Sequence, residues 1–264
     1  MPKISVIMGI FNTKSKEYLK KSLNSILNQT FKDFELIICD DGSTNECIKW
    51  AKDITKNDRR VKFISNGKNM GLACSLNHCL KEAKGKYIAR MDDDDESNLK
   101  RLEIQYDYLE KNKSIDLVSS NINLFDDNGI YGEKIYPENI TKEDFLFNSP
   151  IVHPAIMCRK SAYERVNGYR DLKETVRVED YDLFMRMISN DIQMRVIQDK
   201  LLNYRDDYLN TKRRKKYKYR INEAKIRLYN FKRMGLLPKG LVYVLKPLII
   251  GLLPSILIDK IKKN

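Results

Sequence analysis

Apolar residues follow two rhythms along the first 110 positions. Ile4 to Met8 is a short continuous apolar run, and ELIIC at 35–39, Val61 to Ile64 and Tyr87 to Met91 are three more of strand length. Between them apolar positions recur every three or four residues: Leu19, Leu23, Ile26 and Leu27, then Leu72, Leu76 and Leu80, then Leu99 to Leu109. Unbroken runs of this length suit strands buried on both faces, and the wider spacing suits helices that bury one face. Strand and helix alternate with short connections, which predicts an α/β fold with a parallel central sheet and helices on both sides. DDGSTN at 40–45 supplies turn residues that also suit a helix start.

From about 115 the rhythm changes. Val118 to Ser120 and Ile151 to Met157 read as strands separated by polar loops, and a helix from about 179 carries Leu183, Phe184, Met187 and Ile188. Between Thr211 and Met234, Tyr217, Ile221, Ala224, Leu228 and Phe231 recur at four- and three-residue steps, predicting one helix with an apolar stripe. The sequence holds no internal repeat and no low-complexity segment.

At 264 residues the chain can bury a sizeable core. Its 49 Lys and Arg against 36 Asp and Glu give a net charge of +13, which favours polyanionic or phosphorylated partners. The excess is concentrated late: KRRKKYKYRINEAKIRLYNFKR at 212–233 contains a single acid, Glu223. The five cysteines are scattered without a CxxC pair, which fits reduced thiols better than a disulfide framework or a zinc site. The N-terminus enters an apolar run at once, so no signal peptide is expected. The apolar stretch at 241–258 is broken by Lys246, Pro247 and Pro254, so it is not read as a membrane span.

Against this basic background the acids are placed non-uniformly. Asp40 and Asp41 close the second strand, and Asp92 to Asp95 close the fourth. In parallel sheets ligands bind beyond the carboxyl ends of strands, so both clusters are predicted to reach one rim. Adjacent carboxylates repel unless a cation is held there. Oxygen-only ligation with few histidines (His78 and His153) points to Mg²⁺ or Mn²⁺ on a phosphate ligand. There is no GxxxxGK[ST] and no GxGxxG after the first strand, which excludes a P-loop or dinucleotide fingerprint. A third group, Glu179, Asp180 and Asp182, opens the helix at 179, where carboxylates favour the positive end of the dipole and one held partly desolvated suits a general base.

The segments SVIMGIFN, SLNSILNQTFKDFELIICDDGSTN, NMGLACSLNHCL, GKYIARMDDDD, PIVHPAIMCRKSAYERVNGYR and VEDYDLFMRM, in this order, resemble the family 2 glycosyltransferases that build bacterial capsule, exopolysaccharide and lipopolysaccharide. The resemblance spans about residues 3–205. It implies a GT-A fold, a nucleotide-sugar donor with UDP favoured, a divalent metal, inversion at the anomeric carbon, and a saccharide or polyprenyl-linked acceptor. By the same resemblance Asp41 contacts the nucleotide base with Asp40 beside it, and Phe11 and Asn12 border the nucleotide. Asp92 lies near the ribose, Asp94 holds the metal, Asp93 occupies the variable slot and Asp95 is a further acid. Asp180 is the catalytic base, preceded by Glu179. His153 of the HP pair resembles a pocket residue and suits a core position equally. One departure stands out: where relatives place a histidine shortly after Tyr-Arg, this chain has Asp206 and Asp207, so Arg213 or Arg214 is the candidate to neutralise the diphosphate.

The implied organisation is a GT-A catalytic domain over 1–208, with a nucleotide-binding half to about 115 and an acceptor half over 116–208, then a basic helix and apolar tail over 209–264. The tail suits an anionic membrane surface, which would place the enzyme in the cytoplasm at the inner face of the membrane. A nucleic-acid role would use the same lysines and tyrosines, but no RNA- or DNA-binding module is visible, and none is expected as partner. A non-catalytic anion-binding protein and a sugar nucleotidyltransferase are the competing readings.

Overall fold

The computed structural model describes residues 1–206 and 217–252. Arg213, Arg214, Asp207 and the apolar run beyond Leu252 lie outside the described residues. The first half follows the predicted alternation: β1 (Ile4–Ile10), α1 (Lys16–Leu27), β2 (Phe34–Asp40), α2 (Cys47–Thr55), β3 (Val61–Ser65), α3 (Leu72–Glu82), β4 (Tyr87–Arg90) and α4 (Arg101–Lys111). β1 pairs in parallel with both β2 and β4, and β2 with β3. Short β5 (Glu96–Ser97) precedes α4.

The second half holds β6 (Leu117–Asp126), β7 (Gly129–Lys134), β8 (Met157–Arg159), α5 (Lys160–Arg165), α6 (Glu179–Ser189) and β9 (Met194–Arg205). Nine strands form one sheet in the order β3-β2-β1-β4-β8-β6-β9-β5, with β7 beside β6. β6 and β9 are parallel, whereas β8 runs antiparallel to both β4 and β6, and β5 antiparallel to β9. The expected strand at 151–157 is replaced by a 3-10 turn over His153–Ala155, and the strand begins only at Met157. Pro154 lacks the amide a sheet ladder needs, which explains the displacement.

Side-chain alternation assigns the two faces. Ile4, Val6, Met8 and Ile10 of β1 share a buried cluster with Leu19, Leu23 and Ile26 of α1 and with Leu102 and Leu109 of α4. Ile7, Ile37 and Ile88 face the other way, toward Leu76 of α3 and Leu183 and Phe184 of α6. Each such side chain removed from water contributes about 1.5–3 kcal/mol before chain entropy is counted.

The described part of the basic tail, 217–252, folds as two helices, α7 (Tyr217–Met234) and α8 (Leu241–Leu252). α7 buries Ala224, Ile226, Phe231 and Met234 in the α6-side cluster. The expected stripe is therefore split: Ala224 and Phe231 are buried, while Tyr217, Ile221 and Leu228 are exposed. Polar anchoring displaces the face. Buried Arg227 donates to the carbonyls of Leu146 (2.8 Å) and Phe147 (3.2 Å) and pairs with Glu223 at 3.0 Å.

Candidate active site

The parallel register brings three chain reversals to one edge. Ile10 lies opposite Asp40, and Ile7 opposite Arg90, so the residues after β1, β2 and β4 leave the sheet together. Hydrogen bonds lock them into one rim. Asn12 Oδ1 accepts from the amides of Thr44 (2.8 Å) and Asn45 (3.3 Å), and the Asn12 amide donates to Ser43 Oγ at 3.1 Å. Asn12 does this at φ 48°, a left-handed conformation that asparagine tolerates better than most residues. Its neighbour Thr13 donates its hydroxyl to Asp93, joining the first reversal to the acid turn. Phe11 projects from the same reversal with its ring about half exposed.

Asp41 is buried and accepts three bonds: from Asn66 Nδ2 (2.8 Å) and the Met70 amide (2.9 Å) on Oδ1, and from the Gly71 amide (2.8 Å) on Oδ2. α3 has no local side-chain cap, so Asp41 supplies a carboxylate from a distant strand end to the start of that helix. The 66–71 loop approaches so closely that a Cβ on Gly42 (φ 73°) would lie 2.5 Å from the Lys68 backbone. Asp40 accepts from the Ser43 amide at 2.8 Å.

The acid turn itself is crowded. One carboxylate oxygen each from Asp92, Asp94 and Asp95 lies within 4.8 Å of the others. Arg90, buried at the end of β4, forms an ion pair with Asp92 and leaves Nε and Nη1 without partners among the described residues. Burial disfavours its charge, yet Asp92, followed by Tyr169 and Asp95, outweighs that and holds the guanidinium protonated. Asp95 is 1% exposed. Its Oδ1 accepts the Arg205 amide at 2.8 Å, and its buried Oδ2 has no partner among the described residues. Burial, reinforced by Asp92 and Asp94, pushes its carboxyl well above the usual range. Burial also raises Asp93, to about 6, with Thr13 opposing. This donor set fits a hard divalent cation: clustered oxygens, an orphaned buried carboxylate oxygen and protonation favoured when no cation is bound.

Arg205 braces the turn from β9. Its Nε donates to the Asp94 carbonyl (3.2 Å) and its Nη1 pairs with Asp127 at 3.0 Å, while the guanidinium lies 3.6 Å from the Tyr18 ring centre and 4.4 Å from that of Phe125. Arg101, wholly buried in α4, donates to the carbonyls of Pro154 (2.5 Å) and Arg90 (3.2 Å) from behind.

Glu179 and Asp180 open α6, with Asp180 Oδ1 accepting the Tyr181 amide at 2.8 Å. Burial, with Asp180 adding to it, raises Glu179 to about 7. His153 is buried between Tyr169 and Phe184, its Nε2 2.7 Å from the Tyr169 hydroxyl. Burial and then Arg90 hold its pKa well below the ordinary value, so it is a neutral, packed histidine. Burial raises the Tyr169 hydroxyl above its ordinary range, with Arg90 opposing and Asp180 adding to it.

The sequence reading passed over Arg90, Arg205, Thr13 and Asn66. Arg90 carried a signal: an arginine inside an apolar strand directly before four aspartates needs a buried partner.

The pattern of the Glycosyl transferase family 2 matches residues 5–166. EpsE of Bacillus subtilis is 38% identical over 264 residues, covering 100% of this chain and 94% of that protein. The Escherichia coli UDP-Gal:alpha-D-GlcNAc-diphosphoundecaprenol beta-1,3-galactosyltransferase is 30% identical over 260 residues, covering 96% of this chain and 93% of its own length. Among solved structures, Staphylococcus aureus TarS 1-349 in complex with UDP-GlcNAc superposes with a TM-score of 0.72 at 17% identity, covering 92% of this chain and 73% of that one. The mannosyltransferase PcManGT of Pyrobaculum calidifontis, in complex with GDP-Man and Mn²⁺, gives 0.65 at 16%, covering 95% and 68%. At these identities the structures establish the shared GT-A fold.

Proposed function

Because the chain belongs to glycosyl transferase family 2, we propose that it is an inverting, metal-dependent enzyme that moves a sugar from a UDP-sugar to a saccharide or lipid-linked saccharide acceptor in cell-surface polysaccharide synthesis. The observation that carries this is the carboxylate trio of Asp92, Asp94 and Asp95 with its unpartnered buried oxygen. Asp94 and Asp95 would hold the cation and Asp92 would face the ribose, with Arg90 fixing Asp92. A bound Mn²⁺ or Mg²⁺ supplies charge neutralisation for the departing diphosphate. Phe11, Asn12, Asp40 and Asp41 shape the nucleotide side of the rim.

In the transfer, the acceptor oxygen forms a bond to the anomeric carbon as that carbon's bond to the diphosphate oxygen breaks on the opposite face. Asp180 takes the proton of the attacking hydroxyl, and the nucleoside diphosphate departs with the bonding pair. General-base help of this kind is worth about 10²–10⁴-fold. Glu179, kept neutral up to about pH 7, avoids a second negative charge beside the base. The relatives' names support the donor and acceptor classes: one uses UDP-Gal with a diphosphoundecaprenol-linked sugar, and TarS binds UDP-GlcNAc. Thermal melting with UDP and Mn²⁺, separately and together, tests the site. Stabilisation that needs both is expected; a melting point unmoved by the pair overturns the reading.

A second observation favours attachment to the inner face of the membrane. No helix among the described residues is long and apolar enough to cross a bilayer. α8 nevertheless exposes Leu241, Val242, Leu245, Ile249 and Leu252, and the helix packed against it, α7, ends on the cations Lys232 and Arg233. Apolar side chains flanked by cations suit the boundary of an anionic membrane. Flotation with vesicles containing phosphatidylglycerol tests this: Val242→Glu with Leu245→Glu should abolish binding, and unchanged flotation rejects it.

A further inference from the structure

A cleft of about 420 Å³ opens between α1 and the sheet edge formed by β5, β9 and β6, and none of Asp92 to Asp95 lines it. Five of its eleven lining residues are asparagines: Asn24 and Asn28 on α1, Asn98 after β5, Asn123 on β6 and Asn203 on β9. The strand register sets up part of this. Asn203 lies opposite Asn123 on one side and Glu96 on the other, and Asn123 lies opposite Glu133 of β7, so one polar row crosses four strands. Asn123 Nδ2 donates to Asn203 Oδ1 at 2.9 Å. That leaves Asn123 Oδ1 and Asn203 Nδ2, with the carboxamides of Asn24 and Asn28, without side-chain partners among the described residues.

The lining's charges narrow the ligand. Lys200 pairs with Glu133 at 2.5 Å, and the remaining charged residues are one cation, Lys21, and one anion, Glu96. In a chain of net charge +13 this cleft is electrically balanced, which disfavours a polyanion. Among the described residues no aromatic ring lines it and Leu99 is its one large apolar residue, so it suits neither a stacked base nor an apolar peptide. A carboxamide offers two donors and an acceptor, which matches neighbouring sugar hydroxyls that act as both.

We propose that this cleft binds a neutral oligosaccharide outside the transfer centre. Its volume falls within the range of small-ligand sites. Two serines fasten its helical wall to the acid turn and to β5: Ser22 Oγ donates to the Asp92 carbonyl (2.7 Å), and Ser25 Oγ accepts the Ser97 amide (2.9 Å). The ligand class follows from the lining; only the role, a hold on the saccharide chain during transfer, rests on the function proposed above.

The test uses the full ¹⁵N-labelled chain titrated with cellotetraose, chitotetraose and a sulfated heparin tetrasaccharide, following asparagine side-chain amide signals. At least one neutral tetrasaccharide should shift the signals of Asn24, Asn28 and Asn203 saturably. Asn24→Ala with Asn203→Ala should weaken that binding about tenfold, the loss expected for two hydrogen-bonding groups, with UDP–Mn²⁺ stabilisation unchanged. Should the double variant melt early, Asn28→Asp replaces it, with a loss of about threefold expected for one group. Tighter binding of the sulfated sugar, no saturable shift with either neutral one, or affinity unmoved by the substitutions overturns the proposal. Donor hydrolysis by the unaltered enzyme is read in parallel: its absence sinks the transferase role and leaves the cleft result standing.

Discussion

Asp182 and Asp95 are both removed from water, and they are treated in opposite ways. Asp182, 0% exposed in the first turn of α6, receives Arg170 (3.2 Å), Arg186 (2.8 Å) and Asn230 of α7 (2.9 Å). Asp95 receives a single backbone amide, keeps one oxygen unpartnered among the described residues, and sits beside two more carboxylates. A buried charge that is fully paired holds architecture together, whereas one left half-satisfied among like charges implies a cation. Sequence alone does not separate the two treatments: Asp182 stands two positions from Asp180 in the same short acidic run, and only its partners mark it as structural.

That contrast can be broken most sharply at Asp180. Asp180→Asn should lower transfer by about 10²–10⁴-fold while keeping the UDP–Mn²⁺ thermal shift, since the change removes proton acceptance and nothing that holds the donor. Asp182→Ala should instead cost about 3–5 kcal/mol of stability in urea unfolding, because two arginines lose their shared partner. A near-native unfolding midpoint would show that the pairing does not hold α6. Asp95→Asn should do the reverse, leaving the urea midpoint unchanged or slightly raised and weakening Mn²⁺-dependent UDP binding at least tenfold, measured by calorimetry.

The smallest effect concerns Glu179. Its folded-state pKa of about 7 exceeds the ordinary 4.5, so ionising it opposes folding. That penalty is absent below the unfolded value and complete above the folded one. Glu179→Gln should therefore leave stability unchanged at pH 4 and raise it by about 1–2 kcal/mol at pH 8.5, a figure reduced for the side chain's partial exposure. Equal melting points of variant and parent at pH 8.5 would remove the burial argument.

The alternation of β1 to α4 was legible because each strand is one unbroken apolar run and each helix one spaced stripe. β9 was not. Its apolar pairs Val196-Ile197 and Leu201-Leu202 are separated by Gln198, Asp199 and Lys200, where the pairing with β6 shifts register, so neither period is sustained. The acid turn announced itself by four consecutive like charges. Arg205 and Asn66 did not, because each matters through a partner 25 or more positions away, whereas Arg90 stands two positions from its partner Asp92 and is marked by its place inside an apolar strand. Asp41 was legible as an acid at a strand end, but its bonds to the start of α3 depend on a loop that closes in space.

The hydrogen bond from Asn230 to Asp182 fastens the tail to the helix that carries Asp180. Shortening the protein to its sheet for easier handling would thus withdraw Asn230, Arg227 and Phe231 from beneath that helix. Inactivity in such a truncation would report a collapsed support, and lipid attachment has to be probed by point changes on the outer surface of α8.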